Sequence, residues 1–210
     1  MIEFLVSGGP VMIPIGLASI VGLAALVERV GVLRRNGVVP RSFAVEVEEL
    51  LKQERWGDAK TLCKKTGTAA GRIVAVALEA RGGRRAVVKE RLEETGRREG
   101  SELERNSQVI GTVASVSPLL GLLGTVWGMI VTFDVIQQQG VGVVSSLAGG
   151  ISQALISTMA GLSVGIPALV AYKWVLARAD DLVLELEELA LVVLDLVSTS
   201  PNTDDSGEST

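Results

Sequence analysis

Histidine is absent from all 210 residues, and cysteine occurs once, at Cys63. The first absence excludes His-based zinc sites, Ser-His-Asp triads and imidazole proton relays. The second excludes an internal disulfide framework and Cys₄ metal clusters. Charge is also missing over long stretches. Residues 4–27, 106–133 and 135–172 contain no Asp, Glu, Lys or Arg, so all 44 charged side chains fall in the other 120 positions. A soluble globule mixes charge with apolarity at helical or strand period. This partition excludes that class, and a mean hydropathy of +0.41 agrees.

A bilayer core about 30 Å thick needs roughly 20 apolar helical residues. Run 4–27 supplies one span. Glu3 stands where a secretory signal would be basic, and the run is longer than an h-region, so it reads as a retained helix. Run 106–133 supplies the second span. Run 135–172 is too long for one, and Gln137-Gln138-Gln139-Gly140 mark a short connection before a third. Eighteen of the 20 Lys and Arg residues lie between Arg29 and Arg105, and Lys173 and Arg178 follow the third span. Positive charge stays cytoplasmic. The expected fold is therefore an all-α membrane protein with three transmembrane helices, N-out and C-in, and long helices extending into the cytoplasm. Its segments are 1–27 (periplasmic N-terminus and first span), 28–105 (cytoplasmic, helical), 106–134 (second span) and 135–146 (short periplasmic loop). Then follow 147–172 (third span), 173–198 (cytoplasmic amphipathic helix) and 199–210 (disordered acidic tail).

Within 28–105, Ser42 is placed to cap a helix with apolar positions Val45, Val47, Leu50 and Leu51. Further helices are expected over Trp56 to Lys65 and Ala69 to Ala80, ended by Gly67 and by Gly82-Gly83. From Arg84 no strong breaker appears before Gly111, so one helix is expected to run on into the second span. The segment carries 18 basic and 13 acidic residues, a mixed solvated surface. Membrane lipid suits so modest an excess better than nucleic acid does. After the third span, Leu182, Leu186, Leu189, Val193 and Val197 step by three and four, the stripe of a helix that packs on a neighbour.

The second span has a stripe of small, kinking or hydroxyl residues at Pro118, Gly121, Thr125, Gly128 and Thr132. The third has one at Ser146, Gly150, Gln153, Ser157 and Gly161, with Thr158 beside it. Two readings fit. On the first, Gly121, Gly124, Gly128, Gly161 and Gly165 let helices approach closely, in small-xxx-small spacing. On the second, Thr125, Thr158, Gln153, Ser157 and Pro118 line a polar conduit. Gln153 favours a helical interface or a wet cavity over lipid, because a buried amide needs partners. Hydroxyls and amides do not titrate near neutral pH, so a proton path here needs an ionisable group from another chain.

The block Ser117-Pro118-Leu119-Leu120-Gly121-Leu122-Leu123-Gly124-Thr125-Val126-Trp127-Gly128-Met129 resembles the signature of the MotA/TolQ/ExbB proton-channel family. So do Gly150-Ile151-Ser152-Gln153-Ala154-Leu155-Ile156-Ser157-Thr158-Met159-Ala160-Gly161-Leu162 and Gly165-Ile166-Pro167-Ala168. The likeness covers 106–172 closely, with a fainter echo at Gly57-Asp58-Ala59 and Leu62-Cys63. Three spans, where MotA-type members have four, favour the ExbB/TolQ branch. The resemblance implies a homopentamer in the bacterial inner membrane, enclosing an ExbD/TolR-like single-span protein in a central lumen. It implies coupling of proton-motive force to outer-membrane transport or envelope maintenance, with a TonB- or TolA-like transducer as further partner and no cofactor. It also implies that Thr125 and Thr158 line the lumen near the partner's aspartate. At Gln153 the chain departs from the glutamate usual in ExbB and TolQ. That departure leaves H⁺ or Na⁺ open as the driving ion, and a non-conducting scaffold as a rival. ExbB-like uptake and TolQ-like envelope maintenance both fit.

An enzyme is the rival from another class. The spans offer serines and threonines without His, Lys or carboxylate, which leaves no activated nucleophile, metal or base. Cys63 reads as a small buried apolar side chain.

Overall fold

The computed structural model describes residues 8–139 and 144–198; the side chains of residues 35, 36, 139 and 144–147 fall outside that description. The described residues form eight helices and no strand. In chain order these are α1 (Met12–Val32), α2 (Arg35–Val38), α3 (Arg41–Lys52), α4 (Trp56–Thr66), α5 (Ala69–Glu79), α6 (Arg85–Glu104), α7 (Ser107–Gln139) and α8 (Val144–Ser198). Three helical stretches, one each in α1, α7 and α8, are long and apolar enough to cross a membrane. The chain is an all-α, multi-pass membrane protein.

Two compact units share the chain. The first comprises Met1–Arg29 and Asn106–Val175, and the second Val30–Arg105 and Leu176–Thr210. The first holds α1, α7 and the apolar part of α8. Its helices carry Pro118 and Pro167 in their interiors, where each ring removes one backbone donor. Transmembrane helices tolerate this because neighbouring groups re-satisfy the freed carbonyl.

The second unit is built on apolar faces at helical spacing. On α3 the buried positions are Phe43, Val47 and Leu51, one turn apart, while Val45 is 66% exposed. The expected Val45 face is therefore shifted to the one Phe43 anchors. Ser42 does not cap α3 either. Pro40 holds the cap position with φ −62°, and Ser42 lies inside the first turn. Helix α4 ends where Gly67 takes φ +63° and its N–H bonds the Cys63 carbonyl. Thr68 then opens α5, its hydroxyl accepting the Gly71 N–H at 3.3 Å. Between α5 and α6, Arg72 Nε donates to Glu99 Oε1 at 2.6 Å, and a second guanidinium nitrogen bonds Glu99 Oε2. Arg72 also donates to the Gly67 carbonyl at 3.0 Å, tying the α4 terminus to the same side chain. Leu182, Leu186, Leu189, Val193 and Val197 of α8 are all buried. Arg85, opening α6, reaches Asp195 at 2.6 Å and Ser198 Oγ at 2.7 Å.

Two expected boundaries move. α6 and α7 are separate helices: Asn106 takes φ +61° and stops the first before Ser107 starts the second. Asn is one of the few non-glycine residues that visit this region readily, and Asn106 Nδ2 donates to both Glu28 carboxylate oxygens at 3.1 and 3.2 Å. At the other end, α7 runs on through Gln139. Glutamine is a good helix former, and Gln138 donates to Asp134 one turn earlier at 3.0 Å. Of the connection expected over 135–146, only 140–143 separates the helices, and those four lie outside the described residues, as do 1–7 and the tail 199–210.

Candidate functional site: the seam between α7 and α8

The buried positions of α7 recur at Ile110, Val113, Ala114, Ser117, Gly121, Gly124, Gly128 and Thr132. On α8 they recur at Gly150, Ala154, Ser157, Gly161 and Gly165. These stripes meet each other within one chain. A Cβ on Gly161 would lie 2.5 Å from the Ser117 carbonyl oxygen and 2.9 Å from Gly121 Cα. One on Gly121 would lie 3.1 Å from Thr158 Cα, and one on Gly128 would lie 3.0 Å from Ala154 Cβ. Gly165 faces Pro118, whose Cγ would be 2.6 Å from an added Cβ, and Gly124 faces Ser157. Gly121, Gly128, Gly161 and Gly165 thus stand where the opposite backbone comes close, and Gly124 makes room for the Ser157 side chain. The two small-residue stripes are opposite sides of one contact.

The hydroxyls are arranged around that contact. Thr125 Oγ1 donates to the Leu122 carbonyl at 2.6 Å, and Thr158 Oγ1, from α8, donates to the Gly121 carbonyl at 3.2 Å. Residues 33 apart in sequence therefore bond adjacent carbonyls of α7. Both threonines are half-buried. With its proton committed to a carbonyl, each hydroxyl oxygen keeps lone pairs that can accept from water or a protonated acid. Ser157 is fully buried and donates to the Ala154 carbonyl at 2.8 Å; Thr132 donates to the Gly128 carbonyl at 2.8 Å. Pro118 is half-buried on the seam's flank. Gln153 is half-buried too, and its amide lies against Gly9, in the turn that precedes α1.

Sequence reasoning missed Ala154 as a partner of Gly128, although a small residue one turn past Gly150 was the available signal. It also missed Gly8-Gly9-Pro10 as part of this region, where the turn composition signalled a bend without saying what it touches. Among the described residues, no group of three or more His, Cys, Asp and Glu is placed to hold a metal. Cys63 lies in the second unit, 4% exposed; burial pushes its thiol up to about 11, against a smaller opposing effect of a backbone hydrogen bond. A thiol so held is not a nucleophile near neutral pH.

A sequence model described as the MotA/TolQ/ExbB proton channel family matches residues 65–188. The chain is 40% identical over 86 residues to the Tol-Pal system protein TolQ of Pseudomonas aeruginosa, covering 41% of this chain and 37% of that protein. It is 34% identical over 143 residues to the biopolymer transport protein ExbB of Pseudomonas putida, covering 64% and 43%. With ExbB of Aquifex aeolicus the identity is 35% over 88 residues, covering 42% and 60%. In each case the chain spans less than two thirds of the relative's length.

Proposed function

Since the chain belongs to the MotA/TolQ/ExbB proton channel family, on its ExbB/TolQ branch, we propose that it is the ring-forming subunit of an ion-driven motor in the bacterial inner membrane. Five copies, N-out and C-in, enclose an ExbD/TolR-like single-span partner. Proton-motive force acting on that partner is passed, through a TonB- or TolA-like transducer, to outer-membrane transport or envelope maintenance.

One observation carries this reading. The hydroxyls of Thr125 and Thr158 converge on adjacent carbonyls within the runs 106–133 and 135–172, which contain no Asp, Glu, Lys, Arg or His. Such a site can relay and orient a proton, yet cannot bind one near neutral pH. The titratable group has to be supplied, and a carboxylate on an enclosed partner helix is the chemistry that fits. Thr125 and Thr158 face that carboxylate, with Pro118, Ser157 and Gln153 around them.

The test reconstitutes the chain in liposomes with a single-span partner bearing an aspartate in its span. Acid-driven proton flux should fall at least tenfold for Thr125→Val, with assembly intact, while Thr125→Ser keeps most of it. Valine preserves shape and removes only the hydroxyl. Undiminished flux in Thr125→Val would remove the threonine from the route. Flux that requires sodium rather than a proton gradient would change the ion, and no partner-dependent flux at all would leave a scaffold.

A further inference from the structure

We propose that Gln153 is a positioning residue: its amide seats the chain's own turn Gly8–Val11 against α8 and so closes that end of the α7–α8 seam to water.

The turn is hydrogen-bonded into the start of α1, with Met12 N–H to the Gly9 carbonyl at 3.1 Å and Ile13 N–H to the Pro10 carbonyl at 3.3 Å. Gly9 takes φ +74°, and a Cβ there would overlap Gln153 Nε2 and lie 3.0 Å from its Cδ. The left-handed backbone favours glycine, and any side chain there would push the Gln153 amide away from the turn. On either side of this contact the turn packs on the seam. An added Cβ on Gly8 would lie 3.2 Å from Ile156 Cγ2, and Val11 Cβ approaches the Gly124 position that Ser157 also covers. Val11 and Met12 are 7% exposed and Ile15 is 2% exposed. Three segments thus converge where Gln153 stands: the turn, α7 at Gly124, and α8 over 153–157.

The residue type follows from the contact. A side chain pressed on backbone at the edge of an apolar region must be long, polar enough for the rim and free of charge. A carboxylate in the same place would lose hydration, and residues 4–27, 106–133 and 135–172 offer it no cation. The neutral amide therefore belongs to the seal.

The experiment uses the full chain purified in detergent, with neither partner nor ion gradient, so its failure and failure of the motor reading are distinguishable. Val11→Cys reports exposure through its rate of modification by a water-soluble maleimide. Native Cys63 stays silent because burial holds its thiol protonated. Modification should be slow with Gln153 present and at least tenfold faster with Gln153→Ala. Gly9→Ala, which lies outside α8 and cannot unravel it, should open the site similarly. The two together should be no faster than either alone, since both break one contact. With Gln153→Glu, the rate corrected for thiolate fraction should rise as the new carboxyl ionises, where the parent profile is flat. An unchanged rate in Gln153→Ala, independent multiplication of the two effects, or a flat profile in Gln153→Glu would overturn the proposal.

Discussion

Cys63 shows how one buried group writes itself into stability. Its thiol ionises near 9.0 when exposed and is pushed up to about 11 in the fold, chiefly by loss of hydration. The unfolded chain therefore gives up this proton more readily than the folded one. Stability from keeping the thiol neutral is complete below pH 9 and is lost as pH rises from 9 toward 11. Thermal midpoints measured across that window should fall more steeply for the parent than for Cys63→Ala. Parallel curves would mean that the site is wetter than its burial suggests. The Arg72–Glu99 pair is a contrasting case. Glu99 is 7% exposed and is bonded through both oxygens, and its carboxylate holds the guanidinium above its usual range by hydrogen bonding more than by charge alone.

Helices α7 and α8 fit each other through absent side chains. At Gly161 an added Cβ meets the Ser117 carbonyl oxygen and Gly121 Cα, both backbone, so the helices must separate to admit it. Gly161→Ala should cost about 1–3 kcal/mol, read as a lowered unfolding midpoint in detergent. Gly149→Ala, on the same helix with nothing within 4 Å of an added Cβ, should instead stabilise by up to about 1 kcal/mol through helix propensity. Equal effects would mean that helix propensity, not the contact, sets the outcome. Much of this was legible beforehand. Steps of three and four marked which faces of α7 and α8 are small, and the stripe from Leu182 to Val197 marked the buried side of α8. What faces each stripe was not legible, because periodicity gives a face and never its partner. The break at Asn106 escaped notice because the left-handed turn came from an asparagine bonded to Glu28, 78 residues earlier. The run on through Gln139 is hidden for the opposite reason, since polar residues that form helices well also read as a turn. The glutamine at 153 stands out in sequence as an amide within an uncharged run, yet its neighbour Gly9 is 144 residues away and no local pattern links them.

At the scale of the whole molecule, the two small-residue stripes pair inside one chain, so close packing requires no second copy. The ion coupling proposed above does require one. A single Thr125/Thr158 pair cannot surround a partner helix about 10–12 Å across, and the runs 106–133 and 135–172 contribute no Asp, Glu, Lys, Arg or His. Several copies joined by a repeated head-to-tail contact that closes on itself would enclose such a helix and present a hydroxyl pair from each side. The surface for that contact is present: Leu119, Leu123, Trp127 and Ile130 on α7 and Leu155, Met159, Leu162 and Ile166 on α8 are exposed and apolar. For the proposed five-copy ring, native mass spectrometry in mild detergent should return pentamers, and only monomers or dimers would sink it. Because these faces carry no charge, the mass should not depend on salt. At about 1 M salt the Debye length shrinks to about 3 Å and exposed ion pairs are screened. A pentamer that survives this is held by its apolar faces. One that falls apart is held through the charged residues of 30–105, and the faces named on α7 and α8 are then left to lipid.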